Sequence, residues 1–420
     1  MSSKVAASES SISTSRGNFF PGIFIFNFDF QKHIFPSQRT FTMYLSSFRP
    51  LAASIFRVLV SKFAWNRAQV SSTSTPKSAS VSTFKQKSCV QTTNHNIKTT
   101  TNEDTTSQDF DFLSLIPPNA WDSHMHILDP TNFPLSPSAI YTPSTHLLRD
   151  ALSTLSTNLL LPNLVLVQPS IYGHDNSCLL SALRSLGPSR GRGVVSFDPS
   201  TISSAKLREW HGLGVRGVRI NLQSVGLGNS LDAEEVKSML KAYADVIRPF
   251  GWVLQLYVPL EMAVLLEKTV PSLGVRVVLD HFGSPDLDCS AREIEEVRDP
   301  YTIPGFSSLI ALLQAGNTYV KISAPYRLTR PDSTQPPNPA CQRDLDAIGK
   351  ELLRVAGMNK VVFASDWPHT RFEGLDIKPF VKRVMEWCEW DEGLIERVFR
   401  GNGEMLWDVE RVGRDTEMEK

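Results

Sequence analysis

From residue 109 onward, short apolar runs alternate with longer amphipathic stretches. The runs are rich in β-branched residues and nearly unbroken, as in VRVVLD and KVVFAS. That is the pattern of parallel strands covered on both faces. It predicts eight strands, at 121–126, 164–169, 193–197, 215–221, 252–258, 276–281, 318–324 and 360–366. Helical periodicity predicts helices at 178–186, 233–248, 260–269, 305–315, 343–356 and 377–389. Eight βα units within about 300 residues point to the α/β class and a (β/α)8 TIM barrel. The rival is an open doubly wound sheet, which announces itself by a Gly-rich phosphate loop after its first strand. Here the first strand ends in His124-Met125-His126 instead.

The pattern is different before residue 109. No acidic residue occurs between Asp29 and Glu103, and the stretch 71–106 is a Ser/Thr/Lys/Gln mixture with almost no large apolar residue. Such a segment cannot bury enough surface to offset its ordering entropy, so it reads as disordered. Upstream, 43–70 places Arg49, Arg57, Lys62 and Arg67 among apolar residues at helical spacing. Acid-free, arginine- and serine-rich and amphipathic is the composition of a mitochondrial transit segment, and a start at Met43 would put it at the N-terminus. The competing reading is an extension without an address. The expected organisation is therefore an N-terminal extension at 1–108, one barrel domain at 109–410 and a polar tail at 411–420.

Over all 420 residues, Lys plus Arg equals Asp plus Glu at 43 each, so bulk charge gives no reason to expect nucleic acid as a partner. No apolar run reaches the roughly 18–20 residues of a spanning helix, so no membrane partner is expected. Cys89, Cys178, Cys289, Cys341 and Cys388 are scattered, odd in number and form no C-x-x-C pair. They read as reduced thiols of an intracellular protein, mitochondrial if the N-terminal segment is an address and cytoplasmic otherwise.

In a TIM barrel the chemistry lies at the C-terminal ends of the strands. The first strand offers Asp122, His124 and His126, which a period of two puts on one face, toward the barrel mouth. The sixth ends in Asp280-His281, and the eighth in Asp366, with His369 just beyond. His-x-His holds a divalent metal or donates twice to one substrate group; the competing reading is a pair of rim histidines. Asp366 suits a metal ligand or a base toward water, or else a helix cap or a buried partner for a barrel arginine. His281 competes with a core histidine, and His369 reads as structural support. On the fourth strand, counting by two turns Arg219 inward, and Arg327 follows the seventh. Two arginine forks at the mouth suit a carboxylated small molecule, or equally salt bridges to loop acids.

Taken together, WDSHMHILDP, VLVQPSIYGHDNSCLLSAL, GVRGVRIN, LDHFG, KISAPYR and VFASDWPH resemble the amidohydrolase-related family. Within it they are most similar to the 2-pyrone-4,6-dicarboxylate lactonase-like branch, over roughly 117–407. The resemblance implies a TIM barrel that activates water for hydrolysis or, in some members, decarboxylates an aromatic acid with a metal. Metal-binding members carry a fifth-strand histidine, whereas this chain has Gln255 and Tyr257 there and no histidine. The lactonase branch works without a divalent metal. By resemblance, His124, His126 and His281 polarise the carbonyl and Asp366 activates water. Tyr141, Ser170, Arg219, Tyr257 and Arg327 hold substrate carboxylates. One arginine expected after the fourth strand is missing from LQSVGLGNS, which points to a lactone or ester with fewer charges than a dicarboxylate.

The leading expectation is thus opening of a lactone or ester of a small carboxylic acid, without a cofactor. The alternative is a zinc- or manganese-dependent decarboxylase or hydrolase of an aromatic acid, the metal held by His124, His126 and Asp366. A third reading is a non-catalytic barrel, which fold alone does not exclude.

Overall fold

The computed structural model describes residues 111–223, 232–287, 296–330 and 334–409. The expected N-terminal extension, with its transit segment and linker, and the tail at 411–420 lie outside them. The eight strands are β1 (Trp121–Met125), β2 (Asn163–Val167), β3 (Gly191–Val195), β4 (Val215–Asn221), β5 (Val253–Tyr257), β6 (Val277–Leu279), β7 (Thr318–Ile322) and β8 (Val361–Phe363). They form one sheet in the order β1 to β8, every neighbouring pair parallel. Backbone hydrogen bonds close the seam between β8 and β1: Asp366 N–H to the His124 carbonyl at 2.9 Å and His126 N–H to the Trp367 carbonyl at 2.8 Å. The barrel expected from the sequence is therefore what forms.

Alternation along the strands sorts two cores. Val165, Val167, Val194, Val253, Val278, Tyr319 and Val362 point inward, where Trp121, Leu406 and Trp407 join them. The intervening Leu164, Leu166, Leu254, Leu256, Val320 and Phe363 face the helices. Trp407 closes the inner core, its indole N–H donating to Ser123 Oγ at 3.1 Å. The outer layer includes helices Ser177–Leu186, Ala233–Ile247, Phe306–Gln314, Pro339–Ala356 and Lys378–Trp387, each near an expected position. A further helix, Ser204–Gly212, links β3 to β4. Local chemistry sets where they begin. Asp232 and Glu235 form a reciprocal capping box, and Asn338 caps two amides ahead of a helix that opens on Pro339.

Three expectations need correcting. β6, β7 and β8 end earlier than the apolar runs suggest, and His281 (φ 51°), Ala324 (φ 51°) and Asp366 (φ 60°), just beyond them, adopt left-handed backbone. Non-glycine residues held this way concentrate where a fold positions functional groups. Asp122 does not share the mouth with His124 and His126. A register shift in β1 between Asp122 and Met125 breaks the strict alternation. Its carboxylate instead accepts from the backbone N–H groups of His124 (3.1 Å) and Ser365 (2.9 Å), and from the Ser365 hydroxyl, at the seam. Cys178 and Cys388 are free, as expected, and buried, but Cys341 is disulfide-bonded. Scatter along the chain does not report proximity in space.

Candidate active site

Eight of the nine expected site residues line one cavity of about 270 Å³ at the C-terminal ends of the strands: His126, Tyr141, Ser170, Arg219, Tyr257, His281, Arg327 and Asp366. The ninth, His124, is fully buried behind them, its Nε2 3.3 Å from His126 Nε2. A larger cavity of about 760 Å³ adjoins it and shares Gln223, Tyr257 and Arg327 as walls. The described helices include none long and apolar enough to cross a membrane.

The two carboxylate oxygens of Asp366 have different surroundings. Oδ2 accepts from the Tyr326 hydroxyl and from Arg327 Nε at 2.8 Å. Oδ1 lies 3.7 Å from His124 Nε2 and 3.6 Å from His126 Nε2. Burial alone would push this carboxyl up, but Arg327, His281, His126 and His124 together hold it well below the usual carboxylate range. Arg327 occupies the short helix Pro325–Thr329, and its Nη2 also donates to the Thr370 carbonyl at 3.2 Å. Of the two readings open for Arg327, the salt bridge is present, and its partner is Asp366 itself.

The histidines form a packed set. The rings of His124 and His281 stack with centroids 5.1 Å apart, and Tyr257 meets His281 edge-on at 4.8 Å. His281 Nδ1 lies 2.8 Å from Ser323 Oγ, and burial holds its imidazole down at about 4. His126 Nδ1 is 2.8 Å from the Val167 carbonyl, which can only accept, so that nitrogen carries a proton. His369 packs edge-on against Tyr326 and does not line the cavity, in line with a supporting role.

Behind the histidines lies a buried polar layer. It is built from inward positions of four strands. Lys321 of β7 is fully buried; its Nζ donates to Gln255 Oε1 at 2.7 Å and lies 3.2 Å from Asp280 Oδ1 and 3.3 Å from His124 Nδ1. Gln255 Nε2 donates to Asp280 Oδ2 at 3.0 Å, bridging the ion pair. Arg219 is turned inward as expected, with Nη1 on the Gln168 carbonyl at 3.2 Å and Nη2 3.6 Å from Asp280. Burial raises the cost of every charge here, yet Lys321, His124 and Arg219 keep the Asp280 carboxyl well below its usual range. Burial brings the Lys321 ammonium down to about 8.

The sequence reading missed Lys321, Tyr326 and Arg371. Lys321 left one signal: a charge at the inward register of β7, two residues from Tyr319, must be paired if buried. Arg371 follows Asp366 by five residues, and its guanidinium lies over the Tyr141 ring at 5.5 Å. It brings a third arginine to the cavity, although the stretch LQSVGLGNS directly after β4 has none.

His124 Nε2, His126 Nε2 and Asp366 Oδ1 form a triangle with sides of 3.3, 3.6 and 3.7 Å. That is close to the edge of a tetrahedron whose metal–ligand bonds are about 2.0–2.2 Å, so the three atoms fit one face of a zinc site. A second cluster, His124, Asp280 and His281, shares the first histidine.

Comparison with known proteins agrees with this picture. A family model described as amidohydrolase matches residues 121–409. A 2-pyrone-4,6-dicarboxylate hydrolase of Comamonas testosteroni is 30% identical over 258 residues, covering 60% of this chain and 78% of that protein. A 4-sulfomuconolactone hydrolase of Hydrogenophaga intermedia is 25% identical over 266 residues, covering 63% and 78%. A crystal structure from Pseudomonas putida, described as a candidate 2-pyrone-4,6-dicarboxylic acid hydrolase, superposes with a TM-score of 0.56 at 28% identity, covering 70% of this chain and 99% of that one.

Proposed function

The chain is a hydrolase belonging to the amidohydrolase family, and from that premise we propose that it opens a lactone or ester of a small carboxylic acid. The observation that carries this reading is the division of labour within Asp366. Tyr326 and Arg327 anchor Oδ2, which leaves Oδ1 facing His124 and His126 beside a cavity walled by arginines.

In this reading a water held at Oδ1 attacks the carbonyl carbon and gives its proton to the carboxylate. The carbonyl oxygen gains charge and takes hydrogen bonds from His124 Nε2–H and His281. His126, with its Nδ1 proton held by Val167, presents a bare Nε2 3.6 Å from Oδ1. It can receive the proton there, and once protonated it joins the other two as a donor. The carbon–oxygen bond to the leaving group then breaks, and the proton goes to the departing alkoxide to give a hydroxy acid. Arg219, Tyr257, Tyr141 and Ser170 orient the acid group of the substrate.

The ligand triangle supports a second reading. His124, His126 and Asp366 would hold zinc or manganese, which would supply a Lewis acid and a more acidic bound water. Decarboxylation or hydrolysis of an aromatic acid would then be the reaction class.

The test is hydrolysis of a panel of lactones, including pyrone dicarboxylate, by the full chain with and without chelator. Turnover that survives chelation and falls about 10²–10⁴-fold in Asp366→Asn is the expected result. Near-full activity of that variant would remove Asp366 as the base. Turnover abolished by chelation and restored by zinc or manganese would select the second reading.

A further inference from the structure

We propose that Lys321 is a positioning residue that reinforces the tautomer His126 imposes on His124, and so keeps the His124–His126–Asp366 triangle an anion-polarising site with weak metal affinity. The Val167 carbonyl can only accept, so His126 Nδ1 bears the proton and the neutral ring has a bare Nε2. That nitrogen lies 3.3 Å from His124 Nε2. Two lone pairs do not face each other at this distance, so His124 carries its proton on Nε2.

His124 Nδ1 is then bare and needs a donor. Two groups reach it: Lys321 Nζ at 3.3 Å and Asp280 Oδ1 at 3.3 Å. An ionised carboxylate donates nothing, which leaves the ammonium. Its position is set from several sides. Gln255 accepts from it at 2.7 Å, Asp280 pairs with it at 3.2 Å, and the Trp407 ring lies 5.3 Å away. A fully buried lysine is costly unless held this way, so a merely structural role would be served more cheaply by an apolar side chain.

The two neighbours of Nδ1 favour opposite states. Metal binding needs a lone pair on His124 Nε2, which moves the proton to Nδ1, toward Asp280. That arrangement resembles the carboxylate–histidine pairs behind many metal sites. Lys321 opposes it twice, by aiming an N–H at Nδ1 and by adding a positive charge next to the incoming cation. The inference deepens the metal-free reading of the same site. It is read without substrate or turnover, so its failure and the failure of that reading are separable.

Two measurements on the full chain test it. The first is the ¹⁵N long-range correlation pattern of His124 in chelator-treated wild-type protein, assigned by its loss in His124→Asn. The Nε2–H pattern is expected, and an Nδ1–H pattern would overturn the proposal. The second is zinc titration by calorimetry. Lys321→Met should bind zinc at least tenfold more tightly than wild type, with His124 changing to the Nδ1–H pattern only as zinc binds, while Lys321→Arg restores the weak wild-type affinity. A folded Lys321→Met with wild-type zinc affinity would overturn it. If that variant does not fold, Lys321→Gln, which removes the charge but keeps a polar side chain, is titrated in its place, and wild-type zinc affinity there would overturn the proposal.

Discussion

His124 and Asp366 meet twice: the Asp366 amide donates to the His124 carbonyl at 2.9 Å, while Asp366 Oδ1 stands 3.7 Å from His124 Nε2. The first contact closes the barrel seam and the second belongs to the candidate chemistry. The proposed base and polarising group therefore owe their separation to backbone pairing, which is stiffer than a loop-borne contact. The left-handed φ of 60° at Asp366 makes this work, because the chain leaves β8 just after the seam bond and turns the carboxylate over the cavity.

Asp122 should prove the support of that arrangement. It accepts from the amides of His124 and Ser365 and from the Ser365 hydroxyl, all buried. Asp122→Ala strands these donors without water, at a cost of about 2–4 kcal/mol. Urea unfolding should show that loss, with a smaller one, about 1 kcal/mol, for Ser365→Ala. Unchanged stability in Asp122→Ala would mean that the seam is held by the β1–β8 backbone bonds alone.

Stability should also fall between pH 7 and pH 5. Burial holds His281 and His369 at about 4, below the ordinary 6.5, so the unfolded chain takes up protons that the folded chain refuses. Stability contributed by the neutral rings is thus present above 6.5 and is lost as pH falls toward 4. Asp122 acts in the opposite sense, since burial raises it to about 6 and the folded chain gains a proton in the same window. Asp366, held below its usual range, stays ionised throughout. The two histidines outweigh Asp122 by about 2 kcal/mol, and His124, held well below its ordinary value by burial and by Lys321, adds to the loss; urea unfolding at the two pH values measures it. His369→Gln should flatten the dependence by roughly half.

Much of this was legible in the sequence, and the parts that were not share a cause. The apolar runs located eight strands because a parallel strand buried on both faces has little freedom in composition. Counting by two turned Arg219 inward correctly, because β4 runs past β5 without a register shift. The same count failed for Asp122, because β1 shifts register after it. Gln255 was read only as a missing histidine. Its contribution depends on Lys321 and Asp280, brought beside it from β7 and the end of β6, and no local pattern reports such a meeting. Arg327 was recognised as a mouth arginine, but its pairing with Asp366 depends on the turn after β7, where Ala324 takes φ 51°.

Arg371 should determine the charge of the preferred substrate. It is exposed at the cavity, stacked over Tyr141, with no carboxylate in ion-pair contact among the described residues. A cation so placed can meet a second acid group, the role left vacant after β4. Arg371→Met should raise KM about tenfold for a lactone with two acid groups, with little change in kcat or in KM for a one-acid lactone. Equal effects on both substrates would show that Arg371 shapes the mouth without reading charge.

In the proposed reaction Arg327 would link the substrate to the base. Its bond to Oδ2 helps keep Asp366 strongly acidic, and a carboxylate that ionises so readily is a weak base. A substrate carboxylate at the mouth competes for the same guanidinium, which faces both Asp366 and the cavity. Each hydrogen bond that Arg327 transfers to the substrate leaves Oδ2 less stabilised and Asp366 more basic. An acid group on the substrate should therefore raise kcat as well as lower KM, unlike the effect expected of Arg371. Arg327→Met should separate the two contributions. Carboxylated lactones should lose about 10²-fold in kcat/KM, in proportion to a lost charge-assisted contact. An uncharged lactone, which never competed for Arg327, should keep its kcat or gain, with the acid limb of its pH profile moved upward. If the uncharged lactone loses as much kcat as the carboxylated one, Arg327 serves only to hold Asp366 in place.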